Sequence, residues 1–295
     1  MRTTDRAEER AGLLELLASD PREHGHPQSR WTLAALRDTL LLFTSYSLSG
    51  LWRVLAGHKL HWKRARDHLR SPDPAYQAKL ARVRTLRAMV DAVPDAAVLV
   101  YLDELTYYRQ PSLAAGYAAA HSDAPRAERS HRRNTPTRVI AALEARTGRV
   151  VAYQGARLGV RELVAFYQQL AAAYPGRRLY VVQDNWPVHF HPDVLAALEP
   201  QTSPFPFLRP PSWPTEPSPT AKHLDLPIQL VQLPTYAPWA NPAEKLWRWL
   251  KQDVLHLHRL ADDLPALRAL VLSFLHAFAQ GSHDLLRYVG LPLPT

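Results

Sequence analysis

Three acidic residues stand where carboxylates from separate parts of the chain can meet. Asp103 follows the apolar run VLVYL, Asp184 follows the apolar run LYVVQ, and Glu244 begins a segment of helical spacing. Both runs are typical of buried strands, and ligands of open α/β sheets gather beyond the carboxyl ends of the strands. Carboxylates hold Mg²⁺ or Mn²⁺, and two such ions about 4 Å apart activate and neutralise the oxygens of a phosphodiester exchange. The acids therefore indicate metal-dependent phosphodiester chemistry.

Each of these acids also has a purely structural interpretation. Asp184 can cap the helix that follows it, and Asp103 can solvate the end of a strand. In NPAE, Asn241 suits the N-cap of a helix and Pro242 suits its first position, which puts Glu244 at the capping-box position. One residue can cap a helix and bind a metal in different states, so the two interpretations stay open for Glu244.

The elements that must position these acids are predicted from periodicity. β-branched runs predict strands over 97–104, 137–145, 149–155, 178–185 and 228–234. Helical spacing is found over 160–173, 191–199, 242–257 and 264–279. TGR at 147–149 suits a hairpin turn. Strands that are first joined by a hairpin and then alternate with helices predict an α/β fold with a mixed sheet flanked by helices.

A small all-α region precedes this sheet. A helical pattern over 5–18 comes first. Two further patterns, from Trp31 onward and over 47–56, have the outline of a helix-turn-helix with its recognition helix over 47–56, which leads into a basic run over 51–70. The run is either a solvated helix face or a surface that contacts phosphates. We assign 1–72 to a helix-turn-helix DNA-binding region, 73–96 to a connector helix and 97–295 to the domain that carries the acids.

The composition and motifs of the chain exclude several classes of function. The chain has 295 residues, a formal net charge of +9 and no cysteine, which excludes disulfides, thiolate metal sites and cysteine nucleophiles. It contains no G-x-S-x-G, P-loop or G-x-G-x-x-G motif, and its N-terminus is too charged for a signal peptide. The positive charge favours a polyanionic partner. We expect a cytoplasmic protein with no membrane contact.

A proline-rich segment over 200–227 interrupts the alternation of strands and helices. It holds nine prolines, and proline at this density prevents a helix or a sheet from running through it. We interpret it as an insertion; a simple linker and a functional role are equally compatible with its composition.

The blocks YLDE, VVQDNWPVH and LPTYAPWANPAEKLWRWLK resemble the catalytic blocks of mariner-like DDE transposases, in particular their bacterial insertion-sequence branch. The third block is the most specific, and its matching residues, in order, are Tyr236, Pro238, Asn241, Pro242, Glu244 and Trp247. Two positions depart from the pattern, since Ala237 replaces the usual serine and Trp239 stands where an acid is common. Asp184 and Glu244 are also farther apart than is usual in the family, and the proline-rich segment supplies the extra length.

The resemblance implies an RNase-H-like catalytic domain in which Asp103, Asp184 and Glu244 are the catalytic triad and hold two Mg²⁺ or Mn²⁺ ions. It implies a DNA transposase that cuts transposon ends and joins the 3′ ends to target DNA. The implied partners are double-stranded DNA, namely terminal inverted repeats and target DNA, and a second copy of the chain when two ends are brought together. In a bacterium the protein would be associated with the nucleoid. The short region before residue 29 is expected to lack a first helix-turn-helix module.

Other residues receive secondary roles. His189 and Asn185 are candidate auxiliary residues beside Asp184, and Glu104 is expected to point to the opposite face of its strand in a minor structural role. Trp247 and Trp249 are expected to pack in the core. The candidate DNA-binding residues are basic, and they are Arg53, Lys59, Lys63, Arg64, Arg66, Arg109, Arg132 and Arg133.

Two alternatives to a transposase remain open from the sequence. One is an RNase-H-like metal nuclease without strand transfer, which the helix-turn-helix pattern disfavours. The other is a catalytically inactive, transposase-derived DNA-binding protein, which the presence of all three acids disfavours.

Overall fold

Helical periodicity near the N-terminus produces the first of two structural units. In this computed structural model, which describes residues 3–40, 43–63 and 71–293, the units are Met1–His68 and Leu69–Thr295. The first unit contains helices α1 (Thr3–Ala18), α2 (Leu33–Thr39) and α3 (Leu48–Gly57). Side-chain hydroxyls cap the starts of α2 and α3, and the helices share a small core. Its largest side chains include Trp31, Phe43, Leu51 and Leu55.

The second unit is built around a sheet with the strand order β3-β2-β1-β4-β5. The strands are β1 (Ala97–Tyr108), β2 (Pro136–Glu144), β3 (Val150–Gly155), β4 (Arg178–Gln183) and β5 (Ile228–Gln232). β1, β2 and β3 pair antiparallel, whereas β4 and β5 run parallel to β1. The sheet is therefore mixed, as predicted from the order of strands and helices.

β1 is longer than the predicted segment 97–104. It continues to Tyr108 because β2 pairs with it along its whole second half, up to the pair between Tyr108 and Pro136. Its parallel pairing with β4 ends earlier, at Tyr101 opposite Val182. Asp103 therefore lies inside a strand, at the point where β1 extends beyond its parallel neighbour.

Helices cover both faces of this sheet and enclose two apolar cores. They are α4 (Tyr76–Ala92), α5 (Val160–Ala173), α6 (Pro192–Leu195), α7 (Ala243–Leu250), α8 (Leu264–His276) and α9 (His283–Val289). One core contains the inner faces of α7, α8 and α9, and the other contains that of α5. The helix predicted over 191–199 is shorter in the structure, the one predicted over 242–257 changes to a π-helical turn at Lys251–Leu255, and α9 was not predicted.

The proline-rich segment over 200–227 packs against the second unit although it forms no helix or strand of its own. Phe207 stacks on Phe190 with ring centroids 4.7 Å apart, and Trp213 packs edge-on against His191. Asp193 accepts hydrogen bonds from the backbone N–H and the hydroxyl of Ser218. Side-chain contacts therefore fix a segment that regular backbone pairing does not.

Among the helices of the described residues, none combines the length and the apolar character that crossing a membrane requires.

Candidate active site

A cleft opens at the carboxyl end of the parallel strands. Its cavity has a volume of about 1160 Å³, and its lining includes Asp103, Asp184 and Glu244 as well as Glu104. Asp103 and Glu104 come from β1, Asp184 follows the last residue of β4, and Glu244 is the second residue of α7. The fold thus brings carboxylates from three separate elements to one cleft.

Strand alternation separates the two acids of β1. The core face that contains Tyr101 and Leu105 also contains Trp247 of α7, and Asp103 lies on that face. Glu104 lies on the opposite face, where His189 is packed. Both side chains nevertheless reach the cleft, because β1 extends beyond β4 at this point.

Asp103 is held by a tryptophan and surrounded by other acids. Trp247, which is buried, donates its indole N–H to Oδ2 of Asp103 over 2.9 Å. Burial raises the pKa of Asp103 to about 8, and the negative charges of Glu244, Glu104 and Asp184 contribute in the same direction. Trp247 therefore packs in the core, as expected, and also orients a carboxyl group of the cleft.

Asn241 connects the start of α7 to β1. Its side-chain amide donates to the carbonyl oxygen of Leu102 over 3.0 Å, and its Oδ1 accepts from the backbone N–H of Ala243 over 3.1 Å. In the described part of the chain the Glu244 side chain makes no capping bond and lines the cleft instead. Burial raises the pKa of Glu244, Lys251 opposes this, and Asp184 adds to it.

His189 is a buried imidazole between two acids. Its Nε2 lies 3.3 Å from Oε1 of Glu104 and 3.6 Å from Oδ1 of Asp184. Burial lowers the pKa of His189, but the two carboxylates outweigh this and raise it to about 9. Nδ1 lies 3.5 Å from the hydroxyl of Tyr167, which donates its proton to Gln183, so the Tyr167 oxygen is free to accept from Nδ1–H. Both ring nitrogens are therefore placed to carry a proton.

The donor set fits a divalent cation. Burial raises the pKa values of Asp103 and Glu244, and neighbouring acids add to the shift, so a bound cation would favour the ionised form of both groups. Asn185 adds a buried side-chain oxygen that accepts no hydrogen bond from the described residues. Ligand atoms of Glu104, Asp184 and His189 also lie within 4.8 Å of one another.

Comparison with protein families identifies the domain that carries this cleft. A family model described as DDE superfamily endonuclease matches residues 98–268. This range contains the strands, the cleft and all of its acids. The chain belongs to the DDE superfamily of endonucleases.

Relatives of this DDE endonuclease include an insertion-element protein. The chain is 22% identical over 278 residues to the "Insertion element IS630 uncharacterized 39 kDa protein" of Shigella sonnei, covering 92% of this chain and 73% of the relative. The fold is similar to that of the Mos1 mariner paired-end complex with Mn (TM-score 0.52, 16% identity). It is also similar to that of the Mos1 strand transfer complex (TM-score 0.54, 15% identity). The coverage is 90% of this chain in both cases, with 79% and 76% of the solved chains.

These findings confirm the mariner-like resemblance stated from the sequence. The mixed sheet flanked by helices is the RNase-H-like fold that was predicted, and a helical region precedes it. The family and the insertion-element relative together support DNA transposase as the function of this DDE endonuclease.

The structure brings the acids that sequence reasoning selected to one cleft, and Arg109 is not among the residues that line it. Asn185 lines the cleft and donates to the carbonyl oxygen of Leu233, and His189 contacts Asp184. Arg109 instead donates to the carbonyl oxygen of Ala261, away from the residues that line the cleft.

The other predicted DNA-binding residues are distributed between the two units. Arg132 and Arg133 are exposed on the long connection between β1 and β2. Arg53, Lys59 and Lys63 belong to the first unit, while Arg64 and Arg66 lie outside the described residues.

Sequence reasoning missed two features of the cleft. It gave Glu104 a minor role, although Glu104 and His189 form the ion-pair contact beside Asp184. It also missed Arg138 and Arg157, which line the cleft. Arg138 lies on the same face of the sheet as Glu104, so strand alternation could have placed it in the cleft. That argument requires the pairing register of β1 and β2, which the sequence does not specify.

Proposed function

We propose that this protein is a DNA transposase that cuts the ends of its insertion element and joins the freed 3′ ends to target DNA. The observation that carries the proposal is the convergence of Asp103, Asp184 and Glu244 on one cleft of a DDE endonuclease domain. These residues would hold two Mg²⁺ or Mn²⁺ ions. When bound, such ions activate the attacking oxygen and neutralise the leaving oxygen.

The remaining residues of the cleft hold the acids in place. Trp247 fixes one oxygen of Asp103. Asp184 accepts from the backbone N–H of Trp186 over 2.8 Å and contacts His189 on the same oxygen, Oδ1, which leaves Oδ2 available. Asn241 fixes the start of the helix that carries Glu244. Each acid is thus positioned by a partner from another part of the chain or from the adjoining turn, which limits the rearrangement needed on binding a cation.

Double-stranded DNA is the proposed substrate, with terminal inverted repeats and target DNA as its two forms. The first unit, with Arg53, Lys59 and Lys63, is proposed to bind the transposon end, and a homodimer is proposed to hold two ends together. DNA as the substrate implies action at the bacterial nucleoid, in the cytoplasm.

A strand-cleavage assay on the DNA that flanks this reading frame tests the proposal. We expect wild-type protein to nick this DNA with Mg²⁺ and not with EDTA. Asp103→Asn, Asp184→Asn and Glu244→Gln are each expected to abolish cleavage while DNA binding stays within a few-fold of wild type. Asp284→Asn is a matched acid-to-amide control, because Asp284 is an exposed residue of α9 that is paired with Arg287 outside the cleft.

The products of the same assay separate the alternatives. Cleavage followed by joining to a target plasmid supports transposition. Cleavage without joining supports a metal nuclease, and binding without cleavage supports an inactive DNA-binding protein. Undiminished cleavage by any one of the three variants would refute that residue's assignment.

A further inference from the structure

One wall of the acidic cleft carries two arginines. The charged residues that line the cleft in the described part of the chain comprise five acids, Asp103, Glu104, Glu162, Asp184 and Glu244, and two bases, Arg138 and Arg157. Both arginines are exposed. Packing in the core does not explain why two accessible arginines lie in an acidic cleft.

Arg138 is held in a fixed position on the sheet. It lies on β2 directly opposite Thr106 of β1, and its Nη1 donates to Oγ1 of Thr106 over 2.8 Å. Residues directly opposite each other in an antiparallel pair project to the same face, and Glu104 shares that face because it lies two positions before Thr106. Arg138 therefore lies on the Glu104 side of the cleft, with four of its five guanidinium N–H groups left for another partner.

Arg157 lies in the connection between β3 and α5. The nearest acid in sequence that lines the cleft, Glu162, is already engaged by Arg161 and by the backbone N–H of Gly159. Across residues 3–40, 43–63 and 71–293, neither Arg138 nor Arg157 forms an ion pair with a carboxylate. The two guanidinium groups are therefore available to an anion that enters the cleft.

The chemistry of that anion follows from the neighbouring acids. A free carboxylate entering the cleft would be repelled by its acids, whereas a polyanion whose reacting phosphate is neutralised by bound cations can extend from the acids onto the arginines. Guanidinium groups bind phosphate through paired N–H donors. A DNA strand is a polyanion of this kind.

The sheet sets the spacing between the acids and Arg138. Thr106 is three residues beyond Asp103 on β1, and a strand rises about 3.3 Å per residue, so the two positions are about 10 Å apart. Arg138 is therefore offset along the sheet from the acids, so it can reach a neighbouring phosphate of a strand whose reacting phosphate lies at the acids.

We propose that Arg138 and Arg157 bind backbone phosphates of the DNA strand beside the bond that is cut. The inference rests on the proposed function for the identity of the anion. The two arginines determine which phosphate of a bound strand reaches the acids, so they set the position of the cut.

The first test is the salt dependence of DNA binding by the full chain. The probe is a fluorescein-labelled 30-base-pair duplex of mixed sequence, followed by anisotropy between about 50 and 200 mM salt with Ca²⁺ in place of Mg²⁺. We compare wild type with Arg138→Ala/Arg157→Ala. Each phosphate contact contributes a slope of about 0.9 in log K against log salt, so the double variant is expected to lose about 1.8.

Arg178→Ala/Arg287→Ala is the matched control, because it lowers the net charge by the same amount. Arg178 begins β4 at the opposite end of the sheet from the cleft, Arg287 is on α9, and both are surface residues paired with Glu199 and Asp284. The control should keep the wild-type slope. An equal loss in both double variants would overturn the inference, since the effect would then come from net charge alone.

The second test locates the contacts. Single methylphosphonate linkages, which are uncharged, are placed in turn at each position of the flanking-DNA duplex. Wild-type affinity should fall when the linkage is at specific positions close to the cut, and the double variant should be insensitive at those positions. Urea unfolding midpoints equal to that of wild type confirm that the variant is folded.

The outcomes separate the inference from the proposed function. Cleavage by wild type together with an unchanged salt slope in the double variant overturns the inference and leaves the function standing. A reduced slope and a position-specific methylphosphonate effect, with no cleavage by wild type, support the phosphate contacts and overturn the cutting activity.

Discussion

Replacing Asp103 by asparagine is expected to stabilise the metal-free protein while abolishing its activity. The reason is the burial of the Asp103 carboxyl group, to which the neighbouring acids of the cleft add. The pKa of Asp103 is raised from 3.8 to about 8, so the folded protein resists its ionisation. An asparagine side chain at this position would be neutral at every pH and could still accept the indole N–H of Trp247.

The magnitude follows from the pKa shift. Below pH 3.8 Asp103 is protonated in both the folded and the unfolded state, so its raised pKa costs no stability. Above pH 3.8 the free energy of unfolding falls by about 1.4 kcal/mol per pH unit until the pH reaches about 8, the pKa of Asp103 in the folded state. At pH 7 the penalty is at most about 4 kcal/mol. Asp103→Asn removes this penalty, so its free energy of unfolding should exceed that of wild type by up to that amount.

Urea unfolding in EDTA, at pH 5 and pH 8, measures the difference. Wild-type stability should fall relative to the variant as pH rises, and Mg²⁺ should narrow the gap at pH 8 by binding wild type alone. Asp184→Asn is the matched comparison, and its effect on the free energy of unfolding is expected to be opposite to that of Asp103→Asn. Burial raises the pKa of Asp184, but the hydrogen bond and charge of His189 and the hydrogen bond from the Trp186 backbone N–H outweigh burial and lower it. Asp184→Asn removes these favourable contacts of the carboxylate, so the variant should be less stable than wild type. An Asp103→Asn variant no more stable than wild type at pH 8 would refute the reasoning.

Three further changes have defined outcomes. Asp73 accepts hydrogen bonds from Lys79 and from the backbone N–H groups of Thr235 and Ala75. Burial raises the pKa of Asp73, but these hydrogen bonds outweigh burial and lower the pKa to about 2. Asp73→Ala should therefore lose about 2 kcal/mol at pH 7, and the deficit should disappear as pH falls from 4 towards 2 in urea titrations. Trp247→Phe should destabilise the protein by about 1–3 kcal/mol in urea unfolding at pH 5, because the half-buried Asp103 loses its indole donor. Phe207→Ala should speed limited proteolysis within 200–227, because the stacking on Phe190 is lost; unchanged cleavage there would contradict an anchoring role.

Sequence patterns were sufficient to locate the strands of the sheet but not to predict how the strands pair. β-branched runs located all five strands, because strands buried on both faces are continuous apolar runs. The length of β1 was underestimated, because its extension depends on pairing between Tyr108 and Pro136, which are far apart in sequence. α9 was missed because seven residues with charged neighbours carry too little periodicity to stand out.

The acids of the cleft were predictable because they follow apolar runs and occur in recognisable blocks. Their partners were not, because hydrogen bonds such as that between Trp247 and Asp103 join residues 144 positions apart. Glu104 was correctly expected on the opposite face of β1 from Asp103. Its contact with His189 depends on how the turn after β4 folds back under that face, and local sequence does not encode this.

Binding of Mn²⁺ tests the central claim most directly, because it requires no knowledge of the DNA sequence. Electron paramagnetic resonance at pH 8 would measure free and bound Mn²⁺ for wild type, Asp103→Asn, Asp184→Asn, Glu244→Gln and the control Asp284→Asn. The account predicts that wild type and control bind Mn²⁺ and that each of the three cleft variants loses affinity by about tenfold or more. Equal Mn²⁺ binding by wild type and all three cleft variants would contradict the claim that these acids share a metal site.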